Sequence, residues 1–217
     1  MQHIYIFSGL GADKRIFQNL DFEGMEVHFV DWITPLPKEA IEEYAKRISQ
    51  KITSNSPIII GLSFGGMLAI EIGKIIYTEK IILISSAKTK SELPFYYRIA
   101  GRLGLQKIIP VSFFKTPTYF SNWYFGTENI KDKKVLADIM QDADPVFLKW
   151  AIEKILNWKN TVTLSNLYHI HGTRDIALPI LFVKPNVKVP GAGHLMVYNK
   201  PVIISEFIKK TIAAKLP

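Results

Sequence analysis

Residues 57–67 read PIIIGLSFGGM: three isoleucines, then a serine boxed in by glycines. A small hydroxyl among glycines is ordinary turn chemistry, since Gly and Ser both favour turns. Here, however, the turn follows an apolar, β-branched run and precedes GMLAIEIGKIIY, a helix-like stretch. Gly61-Leu62-Ser63-Phe64-Gly65 therefore fits G-x-S-x-G in a strand–turn–helix setting, where the serine sits exposed in a strained elbow. Gly61 and Gly65 answer to that geometry, because side chains two positions either side of Ser63 would collide with neighbouring backbone. Gly66 extends the small side and lets the helix pack closely.

Outward from this turn, short apolar runs recur at 3–7 (HIYIF), 26–30 (EVHFV), 80–84 (KIILI), 167–170 (LYHI) and 187–189 (VKV). They are apolar throughout rather than alternating, which suggests strands buried on both faces of a parallel sheet. Helix-like patterns lie between them at 39–52, at 66–77 and at 201–216, the last with proline at its first position. Strands alternating with helices predict an α/β fold, a mainly parallel sheet flanked by helices.

From 88 to 160 the alternation stops, and the texture is helical with loops. This third of the chain holds 13 of the 26 aromatics and 12 Lys+Arg against 7 Asp+Glu, most of the net charge of +8. A helical, aromatic-rich insertion between two sheet strands is expected to form a cap over a ligand cleft. The same aromatics would also serve to glue the insertion to the core. The expected organisation is a core of 1–87 and 161–217 with a cap at 88–160.

Several classes of function are argued against. There is no cysteine, which removes disulfides, thiol catalysis and cysteine-ligated metals. The basic residues are scattered, with no dense basic helix or RNP-like motif, so no nucleic-acid partner is expected. The longest apolar stretch, 58–70, is too short to span a membrane. MQHIYIFSGL carries no basic n-region or cleavage pattern, so no signal peptide and a cytoplasmic location are expected. The scattered histidines show no metal-ligand spacing such as H-E-x-x-H, so no metal and no cofactor are expected. Ser85-Ser86-Ala87-Lys88 fits S-x-x-K but lacks S-D-N and K-T-G, and Gly191-Ala192-Gly193 lacks the rest of a dinucleotide fingerprint.

A serine nucleophile needs a base, and the base an acid. Of five histidines, His3 and His28 fall inside strands, while His169 and His171 alternate along one strand, where His171 would line a pocket. His194 follows Pro190-Gly191-Ala192-Gly193 on a loop after the last strand, the place for a mobile proton carrier. Asp175, in HGTRD just past another strand, lies between nucleophile and base, in the order Ser…Asp…His. An aspartate there would by itself pass for a turn cap; Asp31 and Asp144 are less well placed. Ser8-Gly9-Leu10-Gly11-Ala12 follows the first strand, and its glycines Gly9 and Gly11 would let backbone N–H groups turn toward Ser63. Leu10 and Phe64 are the expected oxyanion-hole donors.

SGLGA, GLSFGG, HGTRD and GAGH, in that order with a helical insert before HGTRD, resemble the α/β-hydrolase superfamily across essentially the whole chain. The resemblance implies a nucleophile at Ser63, the acid at Asp175, the base at His194 and a cap at 88–160. It implies a serine hydrolase of carboxylesterase or thioesterase type acting on a small, largely apolar acyl substrate. Carbon–carbon bond hydrolysis or a lyase step with the same triad, and a non-catalytic ligand receptor, are the alternatives. Two departures stand out. Ser8 takes the place of the histidine that usually opens the oxyanion loop, and the amino-terminal hairpin common in the family is expected to be missing.

Overall fold

A computed structural model describes residues 2–214. Its sheet has the strand order β2-β1-β3-β4-β5-β6, with every neighbouring pair parallel. The strands are β1 (His3–Phe7), β2 (Glu26–Phe29), β3 (Ile58–Leu62), β4 (Lys80–Ile84), β5 (Leu167–Gly172) and β6 (Val187–Val189). Successive residues of each strand point to opposite faces, so an all-apolar strand feeds two cores at once. On one face Tyr5, Phe7, Ile59, Ile81 and Leu83 pack against α1 (Ile41–Ile48) and α2 (Phe64–Gly73). On the other, Ile4, Ile6, Ile58, Ile60, Ile82, Ile84 and Ile170 meet α8 (Met196–Asn199) and α9 (Pro201–Ala213). Ile58, Ile59 and Ile60 are wholly buried, and each such side chain stabilises the fold by about 2 kcal/mol. The sequence-based end of the last helix at Leu216 lies outside the described residues.

The chain lays β2 on one side of β1 and then returns to place β3 on the other. Loops after β1 and β3 therefore diverge to opposite faces and leave a crevice at the carboxyl ends, where ligands of open α/β sheets bind. Ser8–Ala12 and Ser63 follow these two strands.

Between β4 and β5 the chain forms five helices, α3 (Phe95–Arg102), α4 (Val111–Lys115), α5 (Tyr119–Phe125), α6 (Ile130–Asp142) and α7 (Pro145–Leu156). Asp144 caps α7, accepting from the Phe147 N–H at 2.7 Å, and Pro145 follows at the first helical position. Three aromatics fasten this segment to the sheet layer. Trp150 packs tilted on Tyr44 at 4.4 Å between ring centroids and donates from Nε1 to Glu39 O at 2.9 Å. Phe147 packs on Trp32 and Phe64, and Trp158 donates to the buried Glu71 carboxylate at 2.8 Å. Other aromatics do not serve as glue: Tyr119 is 88% exposed, and Phe113, Phe120 and Trp123 are more than half exposed. At the neck of the segment Lys90 N–H donates to Asn160 O at 2.8 Å, and Asn160 Nδ2 donates to Lys88 O at 2.9 Å. Among the described residues no helix is long and apolar enough to cross a membrane.

Candidate active site

The sequence pattern starts the elbow helix at Gly66, but the helix begins at Phe64, immediately after Ser63. Ser63 occupies the N-cap position at φ 52° and ψ −118°. A non-glycine residue there costs about 1–3 kcal/mol and must be held by its surroundings. The Ser63 N–H donates to Ile84 O at 3.0 Å, and Ser86 Oγ donates to Ser63 O at 2.7 Å. Ser86 is thus a clamp on the elbow, a role its S-x-x-K context does not signal. A Cβ on Gly61 would be driven into the Gly65–Gly66 backbone, and one on Gly65 into the carbonyl oxygens of Phe7 and Ser8. Gly66 would collide with the Ser86 side chain. The glycines are required because β1, β3 and α2 converge on one point.

His194 and Asp175 reach Ser63 from two other strand ends. Ser63 Oγ lies 3.0 Å from His194 Nε2, and His194 Nδ1 lies 2.7 Å from Asp175 Oδ2. A carboxylate only accepts, so Nδ1 carries the proton and Nε2 is free to accept from the serine hydroxyl. Phe125, at the end of α5, packs at 5.9 Å against the His194 ring, and its carbonyl accepts from Leu195 N–H at 2.9 Å. Asp175 does act as a turn cap: Oδ1 accepts from the Leu178 N–H at 2.8 Å. Its second oxygen serves His194. Asp31 is exposed and Asp144 is spent on α7, so neither joins the cluster.

His171 does not line a pocket. It is fully buried behind Asp175, with Nε2 2.8 Å from Leu178 O and 3.2 Å from Asp175 Oδ2. Both contacts call for a donor at Nε2, leaving Nδ1 to accept from His169 Nε2 at 3.2 Å. Burial, with the neighbouring His171 and Lys88, holds the His169 pKa well below its usual value, so that ring stays neutral. Burial alone would raise the Asp175 pKa. Electrostatic attraction to His194 and hydrogen bonds from His171 and His194 outweigh it and keep the carboxyl ionised, below the usual carboxylate range. Contact between His171 and the acid depends on how the chain turns after β5, which the alternation of His169 and His171 along the strand does not reveal. Nearby, Tyr97 and Tyr124 join hydroxyl to hydroxyl, and Tyr97 also donates to Ala177 O at 2.7 Å. Burial pushes the Tyr124 pKa up to about 12, so this link from α3 and α5 to the acid's loop is uncharged.

The loop after β1 closes on itself. Ala12 N–H donates to Gly9 O at 3.0 Å, Ser8 Oγ donates to Ala12 O, and Trp32 Nε1 reaches the same oxygen at 3.2 Å. Ser8, which replaces the expected histidine, thus bridges the loop with its own hydroxyl. Gly11 has φ +64°, and a Cβ there would press on Ala143 and Leu148 at 2.8 Å, where the helical segment lies against the loop. Gly9 needs no such freedom, because a Cβ there meets Ser63 and Leu62 only at 3.6–3.7 Å. The N–H groups of Leu10 and Phe64 have no acceptor among the described residues. Phe64 N–H is moreover one of the unpaired donors at the α2 amino end, where the helix dipole favours negative charge.

Beside this loop opens a cleft of about 220 Å³ lined by Trp32, Ile33 and Phe147, with Asp13, Asp142 and Asp144 at its polar margin. None of the basic residues of 88–160 borders it. No trio of potential metal ligands occurs at Ser63 among the described residues; the one such trio, His3, Glu26 and His28, lies on β1 and β2, away from the strand ends that carry Ser63.

No protein-family model matches the chain, and no curated protein sequence matches it. Solved structures do. An esterase (EaEST) from Exiguobacterium antarcticum superposes with a TM-score of 0.76 at 16% identity, covering 99% of this chain and 92% of its own. A bromoperoxidase from Bacillus anthracis gives 0.71 at 15% identity, over 98% and 92% of the two chains. The hydrolase olei00960 from Oleispira antarctica gives 0.72 at 11% identity, over 99% and 92%. At such identities the likeness speaks for architecture, and together with the parallel sheet and its serine elbow it establishes that this chain has the α/β-hydrolase fold.

Proposed function

We propose that the protein is a serine hydrolase that cleaves a small, largely apolar carboxylic ester or thioester through an acyl-enzyme on Ser63. The observation that carries this reading is the unbroken hydrogen-bonded line from Ser63 through His194 to Asp175. Esterases and lipases among the proteins of like fold support ester chemistry.

Ser63 Oγ attacks the carbonyl carbon while its proton passes to His194 Nε2. Asp175 remains ionised, fixes the imidazole tautomer and stabilises the cation. Charge developing on the carbonyl oxygen meets the Leu10 and Phe64 N–H groups, each worth about 3 kcal/mol in the transition state. The tetrahedral intermediate collapses, and the departing alcohol or thiol takes the proton from His194. Water then gives a proton to His194 as its oxygen attacks the acyl carbon, and Ser63 leaves with that proton, releasing the carboxylic acid. The sequence of steps calls on these side chains, the two backbone N–H groups and water.

In this reading residues 88–160 form the cap. The cleft beside Gly11 is bordered by neither Ser63 nor His194, so the acyl length is read from the ester panel and not from that cleft. The test is labelling with a fluorophosphonate followed by a panel of esters and thioesters of graded acyl length. Ser63 of the parent chain should be labelled, and Ser63→Ala should lose both labelling and about a millionfold in kcat with its fold intact. An unlabelled Ser63 refutes the proposal; labelling without turnover of any ester redirects it to carbon–carbon cleavage or a lyase step.

A further inference from the structure

At the end of the sheet remote from Ser63, the register pairs His3 with Glu26 and Tyr5 with His28. His3, Glu26 and His28 therefore project from one face of the two strands. His3 Nδ1 lies 3.3 Å from Glu26 Oε2, His28 Nε2 lies 3.3 Å from Glu26 Oε1, and the two nitrogens are 3.5 Å apart. Charge-assisted N–H···O bonds contract to about 2.7–2.9 Å, so 3.3 Å is long for a simple imidazolium–carboxylate pair. With one Glu26 oxygen taken as the ligand, it lies 3.3 Å from one imidazole nitrogen, the two nitrogens lie 3.5 Å apart, and all three atoms fall within 4.8 Å of one another, a spacing that suits ligands around a cation. Tetrahedral zinc with bonds of about 2.0–2.1 Å sets its ligand atoms about 3.3–3.4 Å apart. The His28 ring is braced by stacking on Tyr5 at 4.7 Å, so that ligand is already oriented. The side chains are 41%, 43% and 38% exposed, which leaves room for solvent to complete the coordination.

We propose that His3 Nδ1, His28 Nε2 and the Glu26 carboxylate form a zinc site with water as the fourth ligand, clipping the four-residue edge strand β2 to β1. Two imidazoles and one carboxylate match the preference of zinc for nitrogen and oxygen ligands and leave one net positive charge. The site lies outside the proposed catalytic apparatus and does not depend on it.

The test uses the tag-free full chain, stripped with a chelator and titrated with zinc chloride against a chromophoric competitor. One zinc per chain should bind with micromolar or tighter affinity, raising Tm by about 5 °C or more at a hundredfold excess over Kd. Cobalt in its place should give the intense visible absorption of a tetrahedral centre. Glu26→Gln, which keeps the shape of the side chain, and His3→Gln, which spares the Tyr5 stack, should each weaken zinc by more than about tenfold. Both should keep the parent's far-ultraviolet circular dichroism and its rate of fluorophosphonate labelling. No binding at micromolar zinc overturns the proposal, as does unchanged affinity in both variants, which would place the ion elsewhere.

Discussion

The sheet and the helical segment between β4 and β5 solve different physical problems with different residue types. In β1, β3, β4 and β5, isoleucine dominates and nearly every residue is buried, so position is fixed by packing on both faces. In the helical segment, aromatics divide between Trp150, Phe147 and Trp158, which are buried, and Tyr119, Phe120, Phe113 and Trp123, which face outward. The proposed triad needs the first kind of environment, because a shift of about 1 Å in a reacting group costs about a hundredfold in rate. Selectivity is suited to the second, where side chains change without disturbing the frame.

That contrast yields an ordered set of expectations. The largest concerns the frame: Asp175→Asn should lower kcat about ten-thousandfold by leaving His194 in the wrong tautomer. Measured across esters of graded length, the loss should be the same for all of them; a loss that varies with acyl length would break the division. Next, Trp150→Ala removes the ring that joins α7 to α1 and should cost about 3–5 kcal/mol in urea unfolding. A single transition would mean that segment and sheet unfold together, two that they part. Acid sensitivity comes third. The Asp175 pKa is depressed in the folded chain, so its contribution is complete above the unfolded value, about 3.9, and is lost as pH falls through the folded one. Between about pH 4 and pH 2 the parent should therefore lose more stability than Asp175→Asn, seen as a steeper fall in the urea midpoint. Smallest is the effect of Trp123→Ser, within about 0.5 kcal/mol in stability because the ring is half exposed. If the segment governs selectivity, the variant should alter KM for long acyl chains more than kcat for short ones.

What could be read from the sequence was local. The apolar runs marked all six strands, and glycines around Ser63 marked the elbow because a convergence of backbones leaves no room for Cβ atoms. Ser63, Asp175 and His194 could be assigned to three strand ends from their order, and the structure brings their side chains within hydrogen-bond reach. Register and depth were not legible. Nothing in HIHGTRD says that His171 turns inward onto Asp175 while the loop carries His194 to its other side. His3 and His28 are 25 residues apart and meet only because β1 and β2 pair as they do. Helix ends at 88–160 escaped for a related reason: α3, α4 and α5 are short, and the caps of α5 and α7, Thr118 and Asp144, depend on single side chains.

Asn160 has a wider consequence. By holding Lys88 and Lys90, it brings the two stems of a 73-residue excursion side by side. To β4 and β5 the excursion is equivalent to a short connection whose ends are already joined. The entropy of closing a loop grows only with the logarithm of its length, so the length of the excursion beyond that neck weighs little on the sheet, and its hold on the sheet comes from Trp150, Phe147 and Trp158. Length beyond the neck is thus free to change wherever those three rings keep their seats on the sheet layer.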